Sequence, residues 1–367
     1  MIKKLGIPKE VKQDEGRIAL IPEHITQFTG LADIFVETQA GLGSGFTDKD
    51  YEDAGAKIIH SAEELYEISE IICKVKEPQP QELELLNSSH ILFAYLHLSS
   101  NISLTKALLD KKLTGIATEM IMDGNEYPLL IPMSRIAGNL AIQKGMQFLE
   151  YSSQGKGVLL SAISGEKNSK VTIIGCGEVG RASIHKSIQI GASVTAIDVN
   201  ENTLEDLKNK YGENISTKIS GTDEAVNAIR SADLVIGAVL LPGRKPPVVV
   251  TKEDISAMEQ GTVIVVVAID QGGCVEGVTP NTHSDPFEIR NGVIISAIAN
   301  LPGAVPRTSS IELSTNLQKY VDNLLIENWF DEYKNNESLR PSLQIHNGLL
   351  LSEEVADSLS LTLSKLV

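Results

Sequence analysis

The stretch Val171-Thr172-Ile173-Ile174-Gly175-Cys176-Gly177-Glu178-Val179-Gly180 runs from an apolar strand through three glycines spaced GxGxxG into a helical pattern, Arg181 to Ile190. Each glycine answers a separate demand of dinucleotide binding. Gly175 permits a tight turn, Gly177 lets the backbone approach a pyrophosphate, and Gly180 lets the helix pack closely on the strand. The anion then rests on amides at the helix N-terminus, with Glu178 and Val179 in the same turn. GxGxxG alone is a weak signal, because glycine turns occur wherever a strand reverses into a helix. A second apolar run, Ser193 to Ile197, ends in Asp198, 23 residues beyond Gly175, the distance at which a carboxylate meets the adenosine ribose hydroxyls. A carboxylate there repels a 2′-phosphate, and Val199-Asn200-Glu201-Asn202 supplies no arginine to receive one, so NAD is expected rather than NADP.

Four further polar residues stand at the ends of apolar runs: Lys74 and Lys76 after Ile71-Ile72, His97 after Ile91 to Leu96, and Asp270 after Val263 to Ile269. Ligands of open α/β sheets bind outside the carboxyl ends of the strands, where such residues point. Taken singly, each reads better as a solvated strand end.

The elements that would position these residues alternate in type. In a first block, residues 71–75, 91–96 and 113–117 read as short buried strands, and residues 22–30, 61–68 and 103–111 as helices, the first closed by Gly30. Around Pro128 to Pro132 two prolines bracket an apolar triplet. Ser134 is then placed to cap a long helix with Ala137, Leu140, Ala141, Gly145, Phe148 and Leu149 on one face. A second block gives strands at 171–174, 193–198, 233–237, 262–269 and 292–296. After Pro306, residues 308–329 read as helix, and the tail from Ser342 as a mixed segment ending in another helix. With no strands of their own, these last segments are expected to pack back on the first block. The chain of 367 residues exceeds what one core usually supports. The expected fold is therefore α/β, with two Rossmann-like domains, each an open, mainly parallel sheet flanked by helices, and a cleft between them. A discontinuous substrate domain takes residues 1–130 and 307–367, and an NAD-binding domain residues 131–306.

Composition narrows the function classes. The formal net charge is −16 with no compensating basic run, so the field repels a nucleic-acid backbone. Cys73, Cys176 and Cys274 are far apart and form no CxxC pair, which suits a reducing compartment better than a disulfide framework. The first ten residues lack a signal-peptide apolar core, and the most apolar run, around Thr262 to Ile269, is only strand length. A cytoplasmic chain without membrane or nucleic-acid partners and without a metal is expected.

Several stretches are specific in combination: Gly6-Ile7-Pro8-Lys9-Glu10, Arg17 to Pro22, Lys74-Val75-Lys76-Glu77-Pro78, Leu96-His97-Leu98, Pro132-Met133-Ser134, Ile236 to Val239, Asp270 to Cys274 and Ala299-Asn300-Leu301-Pro302. Through them the chain resembles the alanine dehydrogenases over nearly its whole length. The N-terminal domain of proton-translocating transhydrogenase is similar in its opening motif, but the contexts of His97, Asp270 and Asn300 are nearer to alanine dehydrogenase. The resemblance implies NAD-dependent, reversible oxidative deamination of L-alanine to pyruvate and ammonium. It implies Arg17 and Lys76 as carboxylate and carbonyl ligands, His97 as general acid/base, and Asp270 as the group that orients water or ammonia and stabilises the iminium. It further implies Ser134, Val239, Leu240, Ile269, Asp270 and Asn300 as cofactor contacts, Gln271 as part of the Asp270 loop, and a homohexamer. A noncatalytic NAD(H)-binding subunit of transhydrogenase type is the alternative. One departure stands out: the family commonly carries an acid after Pro-Met-Ser, and this chain carries Arg135, a cation set against the helix dipole.

Overall fold

The computed structural model describes residues 3–161, 169–240, 246–269 and 272–365. Asp270 and Gln271 lie outside them. The chain divides into two compact units, Met1–Met133 with Gly303–Val367, and Ser134–Pro302.

In the first unit, strands numbered along the chain are β1 (Lys3–Ile7), β2 (Ala32–Glu37), β3 (Lys57–Ile59), β4 (Ile71–Cys73), β5 (Ile91–Ala94) and β6 (Thr114–Ala117). The second unit carries β7 (Lys170–Ile174), β8 (Ser193–Asp198), β9 (Ile215–Ile219), β10 (Leu234–Gly237), β11 (Val263–Val266), β12 (Glu288–Arg290) and β13 (Val293–Ser296). The tail returns β14 (Leu343–His346) and β15 (Leu349–Leu350) to the first. The central strands β4, β5, β6, β10, β11 and β13 are buried at every position. Continuous apolar runs of this kind belong to parallel sheets covered on both faces.

The first sheet has the order β15-β14-β6-β5-β4-β1-β2-β3, parallel from β6 to β3. The second has the order β12-β13-β11-β10-β7-β8-β9, parallel except where β12 meets β13. Both units follow one path. The first strand takes two neighbours on one side, and the chain then crosses to build the other side. The reversal falls between β1 and β4 in one unit and between β7 and β10 in the other, and ligands of doubly wound sheets bind at such switch points.

The helical expectations hold in part. Helix Ala62–Ile68 is capped by Ser61, whose hydroxyl accepts the Glu64 amide at 3.2 Å, and Ile102–Lys111 is capped by Asn101. Residues 22–30 split into a short α-helix, Pro22–Ile25, and a 3₁₀ turn, Thr26–Phe28. The long helix Leu130–Phe148 begins four residues ahead of Ser134, so Ser134 lies within it and caps nothing. Pro132 is tolerated because amide donors in a first turn have no intrahelical partner to lose. The apolar face of that helix is as expected, with Ala137, Leu140, Ala141, Phe148 and Leu149 buried.

The tail overturns the expectation that it holds no strands. β14 adds antiparallel to β6, and β15 pairs back on β14. Asn347 and Gly348, at φ 51° and 79°, form the two-residue turn between them. Asn-Gly between apolar pairs is a strong local hairpin signal. Leu350, Val355 and Ala356 of the tail then join Leu65, Ile72, Leu92, Leu96 and Leu108 in the core of the first unit. Each buried Leu or Ile contributes about 1.5–3 kcal/mol. Strands β1 to β3, β9 and β12 also escape the sequence patterns. The last two are half-exposed edges that need little apolar sequence.

Candidate active site

In the second unit the glycine turn lies at the switch point. Gly175 has φ 89°, and a Cβ there would stand 2.8 Å from the Ala238 carbonyl oxygen just past β10. A Cβ on Gly180 would fall 1.9 Å from the Gly175 carbonyl oxygen, which is the close helix-to-strand approach that the motif demands. Gly177 differs: it is exposed, heads the helix Glu178–Gln189, and a Cβ on it would meet nothing within 4 Å. Open space over a backbone at a helix N-terminus fits an anion. Asp198, the last residue of β8, ties the turn down. Its Oδ2 accepts the Cys176 amide at 2.7 Å and its Oδ1 accepts the Asn200 amide at 2.9 Å. Val239 and Leu240 follow β10, Ile269 follows β11 and Asn300 follows β13, all on the carboxyl edge of the same parallel sheet. Asn300 holds φ 61°, and its carbonyl lies 3.4 Å from His283 Nε2.

The helix holding Ser134 packs on the dinucleotide helix. A Cβ on Gly138 would stand 2.3 Å from the Val179 carbonyl oxygen, and the Ser183 hydroxyl donates to the Gly138 carbonyl at 3.0 Å. Arg135 Nε donates to Glu178 Oε2 at 2.8 Å, so the cation that departs from the family pattern is paired with the first residue of the dinucleotide helix. Burial pushes the Cys176 thiol up to about 12 and the Cys274 thiol up to about 11, which leaves both protonated at neutral pH.

In the first unit, Arg17, Lys76 and His97 belong to segments that follow β1, β4 and β5, neighbours in the sheet and on its carboxyl edge. A buried carboxylate grips the backbone of each. Glu15 accepts the Arg17 amide at 3.0 Å, its Nε at 2.7 Å and its Nη2 at 2.5 Å. This pair is almost wholly buried, unlike an ordinary surface salt bridge. Burial opposes the guanidinium charge, but Glu15 outweighs it and holds Arg17 above its usual range. Glu10 accepts the Val75 amide at 2.6 Å and the Lys76 amide at 3.4 Å. Glu119, in the turn after β6, accepts the Leu96 amide at 3.1 Å and the His97 amide at 2.6 Å.

Lys74 has a structural place. Its ammonium lies 3.1 Å from Glu10 and 2.6 Å from Glu82, and Tyr66 donates to Glu82 at 3.0 Å. Burial disfavours its charge, but the two carboxylates outweigh that and raise its pKa. His97 adopts a left-handed backbone, φ 47° and ψ 40°, which costs a non-glycine residue about 1–2 kcal/mol. Its ring stacks against Tyr95 with centroids 6.1 Å apart, and the Tyr95 hydroxyl is fixed on the Leu129 carbonyl at 2.6 Å. Glu10, Glu15 and Glu119 were not singled out from sequence as site residues. The available signal was an acid at or beyond the end of a buried strand, as for Glu119 after Thr114 to Ala117. Among the described residues no group of three or more His, Cys, Asp or Glu side chains is placed to hold a metal ion, and no helix is long and apolar enough to cross a membrane.

Residues 6–137 match the family model for the alanine dehydrogenase/PNT N-terminal domain, and residues 141–353 that for the C-terminal domain. The alanine dehydrogenase of Bacillus subtilis strain 168 is 43% identical over 357 residues, 97% of this chain and 94% of that protein. A solved L-alanine dehydrogenase superposes with a TM-score of 0.92 at 38% identity, covering 97% of this chain and 99% of its own. The transhydrogenase of Sinorhizobium meliloti shares the fold at a TM-score of 0.80 and 24% identity, over 96% and 99% of the two chains. On both its domains and on nearly its full length, this chain belongs to the alanine dehydrogenase/PNT family.

Proposed function

We propose that this chain is an NAD-dependent L-alanine dehydrogenase, converting L-alanine, water and NAD to pyruvate, ammonium, NADH and a proton. The observation that carries the reading is the set of three basic residues, Arg17, Lys76 and His97, whose backbone amides are each accepted by a buried carboxylate at the carboxyl ends of β1, β4 and β5. Arg17 would meet the substrate carboxylate with a guanidinium whose Nε and Nη2 also hold Glu15, and Lys76 would offer a point charge for the carboxylate or carbonyl oxygen. His97 takes a proton from water as it adds to the iminium carbon and returns one to the departing amine. Asp270 is assigned by family resemblance to orient the water and offset the iminium charge. The turn Gly175 to Gly180 with Glu178 and Val179 would hold the pyrophosphate, and Asp198 the adenosine ribose. Ser134, Val239, Leu240, Ile269 and Asn300 would line the rest. When bound, NAD supplies the hydride acceptor.

The test is NADH formation with L-alanine, L-serine, glycine and 2-aminobutyrate, each repeated with NADP. Rapid reduction of NAD by L-alanine, little of NADP, and loss of turnover in His97→Ala are expected. Binding of NADH without turnover of any amino acid would overturn the assignment in favour of a transhydrogenase-like binding subunit. Equal use of NADP would remove the role given to Asp198.

A further inference from the structure

Two features of the His97 segment need a cause. The residue holds a left-handed backbone that residues other than glycine rarely adopt, and it does so three residues past a fully buried strand. Both amides flanking that turn, Leu96 and His97, donate to one carboxylate, Glu119, at 3.1 and 2.6 Å. Strained backbone that persists is over-determined by its surroundings: Glu119 holds the amide side of this turn, and Ser100, whose hydroxyl donates to the His97 carbonyl at 2.9 Å and whose amide donates to it at 3.2 Å, holds the other. The same carboxylate faces the ring: Glu119 Oε1 lies 3.7 Å from His97 Nδ1, just beyond hydrogen-bond length. Such contacts tighten when substrate binds. Tyr95, stacked nearly parallel to the imidazole, closes another side of the ring.

We propose that Glu119 is the positioning residue of His97: it holds the backbone turn and draws Nδ1 toward itself, which turns Nε2 outward for proton transfer. The inference rests on the reading of His97 as acid/base. Its form recurs in the unit. Glu10 grips the amides of Val75 and Lys76, and Glu15 grips the amide and side chain of Arg17. The backbone of each basic residue is thus held by a carboxylate, from the same segment for Arg17 and from a distant one for Lys76 and His97, and Glu119 is the one aimed at a ring that must change protonation state.

The experiment compares His97→Ala, Glu119→Gln and the double variant, as full chains, in steady-state oxidation of L-alanine, with NADH binding and thermal unfolding measured alongside. Gln keeps an acceptor for a backbone amide and removes the charge. A misplaced catalytic group costs rate rather than ground-state binding. E119Q should therefore lose at least about tenfold in kcat while the KM for L-alanine shifts less than about twofold. The double variant should be no slower than H97A, because a residue that acts through another adds nothing once that partner is gone. Wild-type kcat in folded E119Q overturns the proposal, as do additive losses in the double variant. Normal turnover in H97A overturns the underlying assignment of His97, and Glu119 as its positioning residue with it. If E119Q fails to fold, Glu119→Asp, which withdraws the carboxylate by one methylene, carries the test: reduced kcat at near-constant KM supports the proposal, and unchanged kcat overturns it.

Discussion

The glycines of the dinucleotide turn make opposite predictions although they share one motif. At Gly177 the backbone is extended, φ −72° and ψ −162°, a conformation open to alanine, and an added Cβ would meet nothing within 4 Å. Gly177→Ala should leave the fold intact and raise its stability by at most about 1 kcal/mol, through a less flexible unfolded chain. The new methyl would occupy the space through which a pyrophosphate reaches the amides. Displacing the anion forfeits at least one charge-assisted hydrogen bond, worth about 1.5–3 kcal/mol. The dissociation constant for NADH should therefore rise by about tenfold to somewhat over a hundredfold. At Gly180 the added Cβ falls 1.9 Å from the Gly175 carbonyl oxygen and 2.9 Å from its carbon. Both are backbone atoms, so no side chain can swing aside and the helix itself must shift. Overpacking of this kind costs about 1–3 kcal/mol, or a fall in Tm of about 2–12 °C for a unit of this size. Fluorescence titration with NADH and thermal unfolding of both variants separate the two effects. If Gly177→Ala binds NADH as the wild type does, or unfolds below Gly180→Ala, the roles assigned to these positions are wrong.

Two further outcomes follow from buried charge. Glu15→Ala leaves Arg17 as a buried cation without its bidentate partner, and breaking such a pair costs about 3–5 kcal/mol. The midpoint of urea unfolding should fall accordingly, and a change under about 0.5 kcal/mol would show that the pair carries no structural weight. His90 is pinned neutral: Nδ1 accepts the Asn87 amide at 3.1 Å while Nε2 lies 2.8 Å from the Tyr66 carbonyl, and burial lowers its pKa. Because the unfolded chain binds that proton first, stability is full above about 6.5 and falls as pH drops below it, until the depressed folded-state pKa is passed. His24 and His346, also depressed by burial, act in the same direction. Urea unfolding between pH 7.5 and 5.5 should show this loss at up to about 1.4 kcal/mol per pH unit for His90, and less for the half-exposed His24 and His346. The slope should be shallower in His90→Gln, and an unchanged slope would exclude His90 as a source.

Local signals proved readable where physics acts locally. The glycine turn, the acid that ends β8, the serine cap at Ser61 and the apolar face of Leu130–Phe148 each depend on neighbours a few residues apart. The Asn347-Gly348 turn is equally local, but strands of four and two residues have no helical or long-strand period to announce the hairpin around it. β9 and β12 were missed for a related reason: at a sheet edge only half of each strand is covered, so its sequence need not be apolar.

From sequence came Lys76 and His97 as polar residues at strand ends, Arg17 through the family resemblance, and the expectation of a dinucleotide turn, since residue chemistry and short spacings are properties of the chain itself. Which acids are buried was decided only by tertiary structure. Glu15 reads in sequence as a surface partner beside Asp14, and Glu119 lies 22 residues from the amide that it accepts. Both become structural because strands distant in sequence lie side by side and exclude water from them. Desolvation strengthens the hold of Glu15 on Arg17 and of Glu119 on the His97 turn, and desolvation is a property of packing that no short stretch of sequence carries.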